Sequence, residues 1–290
     1  VASADEVTGE RFTVYACAGC EVAFTWPQPR DLARYYPPDY RAFSPRVERT
    51  LRFLYRAKVE GWLARFEAPG RALEIGCGPG WILKTLARHG WTVVGVERGD
   101  EQARQTARVT GLDVSGGPIE RIGPDASFDL IVMFQVLEHV TDPLGMLAQC
   151  RRLLRPGGVL IVSCPNFASW GAAFGGSHWF HLDVPRHLFH FSPGSLGAYL
   201  RREGWRVERT SFVSWIHDPY GWVQTQMNRL GFGRNRLSRA LRRGARSVPA
   251  GGLLWIVALL LAGPAVVLSM ASWLLRTGAI FELHARKTVS

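Results

Sequence analysis

Glu74-Ile75-Gly76-Cys77-Gly78-Pro79-Gly80 follows a short apolar run over 72–75 and opens a helical pattern over 80–89. Glycines at a strand-to-helix turn let the backbone approach a ligand closely and aim the free amides of the helix at it. The dinucleotide fingerprint requires Gly-x-Gly-x-x-Gly, whereas here the third glycine comes one residue early and Trp81 stands where that fingerprint needs a small residue. An adenosyl cofactor without a pyrophosphate fits better than a dinucleotide. Glu74, just ahead of the glycines, is placed to hold the loop and the amino end of such a cofactor. Glu97, closing the next strand, is placed to accept both ribose hydroxyls in charge-assisted hydrogen bonds.

Outward from the loop, apolar runs alternate with helical patterns. Strands are expected over 92–96, 128–133 and 159–163, with a weak one over 112–115, and helices over 101–110 and 144–154. This alternation predicts βαβ units, hence a parallel sheet with helices on both faces. Upstream, Leu51, Leu54, Tyr55, Trp62, Leu63 and Phe66 recur at helical spacing until Pro69-Gly70 ends the pattern. Residues 11–45 are punctuated by Trp26-Pro27-Gln28-Pro29 and Tyr35-Tyr36-Pro37-Pro38-Asp39-Tyr40, which predicts an irregular cap. Downstream, a helix over 193–203 and strands over 205–212 and 279–286 complete the pattern. The expected organisation is therefore a cap over 1–49, an α/β core over 50–212, an insertion over 213–278, and a last strand within 279–290. There is no internal repeat or low-complexity tract.

Three further motifs follow the loop in order: Ser127-Phe128-Asp129-Leu130, Val136-Leu137-Glu138-His139-Val140 and Leu154-Arg155-Pro156-Gly157-Gly158. Together with the Glu-x-Gly-x-Gly-x-Gly loop they resemble the class I S-adenosylmethionine-dependent methyltransferases, in the bacterial type 11/23-like group. The resemblance covers roughly 71–212, with 279–287 as the seventh strand. It implies an α/β, Rossmann-like seven-stranded sheet, S-adenosylmethionine as cofactor, and methyl transfer as the reaction. It also implies a cofactor site drawn from Glu74, Gly76, Cys77, Gly78, Gly80, Glu97, Arg98, Glu120, Phe134 and Gln135. One departure stands out. Pro118 occupies the place of the acid that contacts adenine in the family, so Glu120 or a backbone amide would take that role. Cys17-Ala18-Gly19-Cys20 resembles the amino-terminal segment of some bacterial members, where another such pair lies upstream. Alone it offers two of the four ligands that a structural zinc site needs.

Methyl transfer from a sulfonium is an in-line displacement, so the protein mainly supplies alignment, and a base is needed only when the acceptor must lose a proton. The run His178-Trp179-Phe180-His181-Leu182-Asp183-Val184-Pro185-Arg186-His187-Leu188-Phe189-His190-Phe191 follows the fifth strand, where ligand crevices of α/β sheets lie. His187 is the first candidate base and His139 the second, since histidine titrates near neutrality. The same run also reads as a packed loop whose imidazoles satisfy backbone groups. Arg186 would bind an acidic acceptor or pair with Asp183. His178, His181, His187 and Glu138 could gather around a metal, but nothing in the spacing ties them together and no metal ligand is assigned. Trp170, Trp179 and Phe180 read either as an apolar acceptor wall or as core.

The chain is 290 residues long and 47% hydrophobic, enough for a sizeable core, and its net charge of +11 points to a polyanionic partner. Seven arginines and no acid lie between Arg229 and Arg246, directly before 29 uncharged residues over 247–275. That placement favours an anionic membrane surface over nucleic acid. The apolar run is long enough to span, but Gly263-Pro264 near its middle is expected to break it into two short halves. With Arg246 and Arg276 flanking it, a helical hairpin dipping into one leaflet is expected, ahead of a single span or a globular role as core or dimer contact. Five dispersed cysteines are poor material for a disulfide framework, and 1–10 show no secretory signal, which together place the chain on the cytoplasmic face. A small-molecule or lipid-linked acceptor follows from that location. A soluble RNA or protein methyltransferase and a non-catalytic cofactor-binding module are the alternatives, and oligomeric state is left open.

Overall fold

The computed structural model describes residues 1–36, 43–242 and 251–288. The chain divides into two compact units, one of Val1–Leu51, Pro165–Leu196 and Ser211–Phe281, the other of Arg52–Cys164, Gly197–Thr210 and Glu282–Ser290. This cuts across the expected boundaries at 49/50 and 212/213, because the His-rich stretch joins the amino-terminal residues by strand pairing.

In the first unit, strands β1 (Ala2–Ala4), β2 (Arg11–Ala16) and β3 (Ala23–Trp26) pair antiparallel, so the expected irregular cap is a sheet. Phe12 and Val14 of β2, and Ala23 and Thr25 of β3, alternate inward with the period of a half-buried strand. The prolines that obscured the pattern begin only where β3 ends. Cys17 and Cys20 lie in the connecting turn and are exposed.

Helix α1 (Pro45–Leu63) leads into the second unit. There β4 (Arg71–Ile75), α2 (Trp81–Arg88), β5 (Thr92–Glu97), α3 (Asp100–Thr110), β6 (Asp113–Gly116), β7 (Phe128–Phe134), α4 (Pro143–Leu153) and β8 (Leu154–Pro165) follow in the predicted alternation. β4 pairs parallel with β5 and β7, β5 with β6, and β7 with β8. Leu73, Leu130, Ile131, Val132, Met133, Leu160, Ile161 and Val162 are fully buried, as continuous apolar strands covered on both faces should be. β6 is short and only half-buried at the sheet edge, which explains its weak signal. β8 starts five residues earlier than expected. The Arg155-Pro156-Gly157-Gly158 segment is an irregularity inside the strand, where Phe128 pairs with Leu154 but Leu130 pairs with Val159.

Beyond β8 come α5 (Trp170–Gly175), β9 (Phe189–His190), α6 (Pro193–Arg202), β10 (Trp205–Ser211), α7 (Asp218–Arg229), α8 (Arg236–Leu241), α9 (Gly252–Leu274) and β11 (Ile280–Lys287). β9 pairs with β3 and closes the four-stranded sheet. The seven-stranded sheet has the order β10-β11-β8-β7-β4-β5-β6, with the last strand inserted beside β10. In the second unit, Glu282 of β11 accepts from Trp62 Nε1 (2.9 Å) and Lys58 Nζ (3.0 Å) of α1 and contacts His284 Nε2 (2.7 Å). Against the upward push of burial, His284 and Lys58 hold its carboxyl at about 2.

The expected break at Gly263-Pro264 does not occur. α9 is one helix of 23 residues with Pro264 inside it, about 34 Å long. Packing carries the helix across the missing hydrogen bond: Leu254 before the proline and Ala265 after it are both buried in one cluster with Trp222, Val223 and Met227 of α7 and Leu237 of α8. Arg243, Arg246 and the first residues of the apolar run lie outside the described residues.

Candidate active site

The cradle is built by backbone conformation at the end of β4. Gly76, Gly78 and Gly80 all take left-handed φ values, of 70°, 50° and 73°, which a side chain disfavours. A Cβ on Gly76 would lie 2.6 Å from Val136 Cγ2, and one on Gly80 would lie 2.4 Å from Thr110 Cγ2. The loop is pinned from both sides. Gly76 N donates to the Val96 carbonyl (2.7 Å), and the Gly78 carbonyl accepts from Thr106 Oγ1 (2.6 Å). Cys77 is buried beneath the loop. The Gly95 position is tightly filled: a Cβ there would lie 2.7 Å from Leu83 Cδ1 and 3.0 Å from Cys77 Sγ.

Glu97, buried at the end of β5, accepts from the Gly78 amide through Oε1. Glu74 is also buried, and its Oε2 accepts from Leu83 N (3.0 Å) in the first turn of α2. It thereby supplies the N-terminal cap that Gly80 cannot. Burial pushes the Glu74 carboxyl well above its usual range; the Leu83 amide opposes this, and Glu97 adds to it.

The other expected cofactor residues fall into two groups. Phe134 and Gln135 end β7 beside the loop. Gln135 takes a φ of 58°, unusual for a side-chain-bearing residue, and is held by Ser163 through both its amide nitrogen and its side chain. Phe134 packs edge-on against Tyr55 (5.3 Å between centroids), which in turn meets Trp81 (5.4 Å). Arg98 and Glu120 are exposed, on the β5–α3 turn and on a short 3-10 turn after Pro118. Tyr55 and Thr106 were missed by sequence reasoning, since an aromatic at helical spacing and a helix threonine look like ordinary helix residues. Within the same unit His139 is half-buried on a 3-10 turn, while its neighbour Glu138 is buried against the Cys164 thiol, whose pKa is pushed up by burial and then by Glu138.

In the first unit His187 is buried, and its Nδ1 lies 2.9 Å from the His181 carbonyl. A carbonyl only accepts, so Nδ1 carries the proton and Nε2 is the basic nitrogen. Thr25 Oγ1 donates to the His187 carbonyl (2.6 Å) and meets His190 Nε2 (3.0 Å). Arg186 is paired rather than presented: it forks onto Asp183, reaches Asp5 Oδ1 (2.9 Å), and donates to the Tyr35 carbonyl. Trp179 is core, and Phe180 is packed against Tyr220. Among the described residues neither His178 nor His181 belongs to any group of three or more potential metal ligands.

Burial lowers His187 to about 4, and His181 and His190 to about 3. With folded-state values below the ordinary 6.5, the unfolded chain takes up protons first as pH falls. Stability is complete above pH 6.5 and declines from there to about 4 for His187 and about 3 for the other two. Glu74, with its raised carboxyl, works in the opposite sense. Thermal midpoints are therefore expected to fall steadily between pH 7 and pH 5, and a flat profile would overturn this account.

The sheet order and the glycine cradle define the class I S-adenosylmethionine-dependent methyltransferase architecture. Solved structures share it: a SAM-dependent methyltransferase from Archaeoglobus fulgidus aligns over 81% of this chain and 94% of its own, at 17% identity and a TM-score of 0.53. Phosphoethanolamine N-methyltransferase 2 from Haemonchus contortus, solved with S-adenosyl-L-methionine, aligns over 81% of this chain and 52% of its own, at 14% identity and a TM-score of 0.52. The model of the methyltransferase domain family matches residues 47–210, and the chain belongs to that family. A ubiquinone biosynthesis O-methyltransferase of Xanthomonas oryzae is 29% identical over 188 residues, 60% of this chain and 77% of its own length. The protein is an S-adenosylmethionine-dependent methyltransferase. Its cradle fits that cofactor: two Cβ-sized spaces are already filled by Val136 and Thr110, so only glycine leaves the loop open.

Proposed function

We propose that the protein methylates a hydroxyl of a small amphipathic acceptor at the cytoplasmic face of a membrane. The observation that carries the cofactor half of this reading is the Glu97 carboxylate, buried and aimed at the left-handed Gly78. Bound S-adenosylmethionine supplies an electrophilic methyl on a sulfonium. In this reading the backbone of 76–80 passes close to the cofactor, Cys77 floors the loop, Glu97 accepts the ribose hydroxyls, and Glu74 keeps the loop and the first turn of α2 in register. Phe134 and Gln135 line the end of β7, Arg98 flanks the ribose, and Glu120 serves the adenine amino group in place of the proline-substituted acid. His187, a neutral imidazole at pH 7 with Nε2 as its basic nitrogen, is the first candidate to take the acceptor proton, and His139 the second.

Two observations support the acceptor half. The relative from Xanthomonas oryzae is named for O-methylation in ubiquinone biosynthesis, and α9 presents an apolar face beside a basic segment. Glu97→Ala is expected to weaken S-adenosylmethionine binding by about 10- to 100-fold, the worth of hydrogen bonds to a charged group, as read by calorimetry. The acceptor is tested by incubating the protein with labelled cofactor and a bacterial membrane lipid extract. Label should enter the organic phase with the parent chain and not with Glu97→Ala. Label confined to RNA or protein in a whole-cell extract would overturn the reading.

A further inference from the structure

The outward face of α9 is not that of a soluble helix. Its inward side mixes apolar and hydroxyl residues, with Leu254, Ala265, Ser269 and Ser272 buried and both serine hydroxyls returned to the helix's own carbonyls. Its outward side carries Leu253, Ile256, Leu259, Leu260, Val267 and Leu274, with Leu259 77% and Leu274 83% exposed. A row of large apolar residues turned outward is the pattern of a helix whose outer neighbour is lipid.

Length alone would let α9 cross a bilayer; its packing argues otherwise. Along the inward side, Leu254, Val257, Ala258, Leu261, Ala265 and Leu268 pack on α7 and α8. Further along, Trp273 Nε1 donates to Asp218 Oδ2 (2.6 Å) at the start of α7. Both companion helices also carry polar residues. Gln224, Asn228 and Asn235 form a buried hydrogen-bonded chain, and Arg229, Arg236 and Arg239 stand on α7 and α8. A spanning α9 would drag them into hydrocarbon, where arginine is costly. Charge selects the surface. Residues 219–281 contain eight arginines and no acid, which suits anionic headgroups and opposes a second copy of the same face.

We propose that α9 lies flat in one leaflet of an anionic membrane, with its Leu253–Leu274 outward face inserted to an even, shallow depth and the arginines of α7 and α8 among the headgroups. This rests on the membrane reading above and fixes its geometry.

The test uses the full chain in a Cys17→Ser/Cys20→Ser background, with nitroxide labels placed singly at Leu253→Cys, Leu260→Cys, Val267→Cys and Leu274→Cys. All four sites are exposed in the fold, and unchanged S-adenosylmethionine affinity confirms that each variant is intact. Vesicles of 70:30 phosphatidylcholine to phosphatidylglycerol are added and label depth is measured. The expected result is binding with all four labels at similar depth, about 5–10 Å below the headgroups, and at least about tenfold weaker binding to pure phosphatidylcholine. Labels deepest at Leu260 and shallow at both ends would mean a span and would overturn the proposal while leaving the membrane reading intact. Failure to bind vesicles would sink both. Spin–spin broadening without lipid would assign the face to a second copy instead and would also overturn the proposal.

Discussion

Gly78→Ala is expected to reduce affinity for S-adenosylmethionine by about 100-fold, the combined effect of left-handed strain and a lost backbone hydrogen bond. Both backbone groups of Gly78 are engaged by side chains, its amide by Glu97 and its carbonyl by Thr106. Relaxing φ from 50° towards the region alanine prefers would swing that amide away from Glu97 and carry the carbonyl off the Thr106 hydroxyl. Gly111→Ala is the control. Gly111 caps α3 at a φ of 72° with no other group within 4 Å of an added Cβ. It suffers the same conformational cost, about 1–2 kcal/mol, without touching the loop. Calorimetry should therefore show near-parent affinity for Gly111→Ala at a similar loss of thermal stability. Equal binding losses in both variants would mean that the effect is global destabilisation and that the loop has no special part in holding the cofactor.

Arg186→Ala is expected to cost about 3–5 kcal/mol of stability, the usual result of removing one member of a buried charge cluster. The guanidinium is 1% exposed and lies within 4 Å of three carboxylates, those of Asp5 (2.9 Å), Glu6 (3.6 Å) and Asp183 (2.5 Å). Asp5 Oδ2 accepts from the amides of Val7 and Thr8, so the arginine links the β1–β2 turn to the segment before β9. Without it, the acids remain buried with less positive charge beside them, although Arg242 pairs with Glu6. Urea unfolding should show a lower midpoint, and Arg186→Ala combined with Asp183→Asn should recover part of the loss, since it removes one stranded charge. No recovery in the double variant would point to lost packing rather than stranded charge.

Much of the second unit was legible in the sequence because its determinants are local. The spacing of Gly76, Gly78 and Gly80 needs only the rule that side chains avoid left-handed φ, and the buried strands 72–75 and 128–133 announce themselves as unbroken apolar runs. The positions of Glu74 and Glu97 followed from the same strand ends. Their division of labour did not: that Glu74 caps α2 while Glu97 meets Gly78 depends on which way each carboxylate turns inside the fold.

The first unit was less legible because its determinants are distant in sequence. Phe12 and Val14 alternate visibly, yet β2 and β3 become a sheet with a third partner, β9, supplied some 165 residues later. Arg186 could have been a ligand for an acidic acceptor until Asp5 and Glu6, from the other end of the chain, were seen to occupy it. Pro264 shows the same limit from the opposite side. Local chemistry says that a proline removes a helix hydrogen bond and favours a break, but burial of Leu254 on one side and Ala265 on the other in one cluster with α7 and α8 outweighs that one lost bond. The sequence by itself determined the cradle and the parallel α/β order, where conformational preference and hydrophobic period act within a few residues. Only the tertiary structure decided the amino-terminal sheet, the engagement of Arg186 and the continuity of α9, because each depends on burial against residues that the chain brings together from far apart.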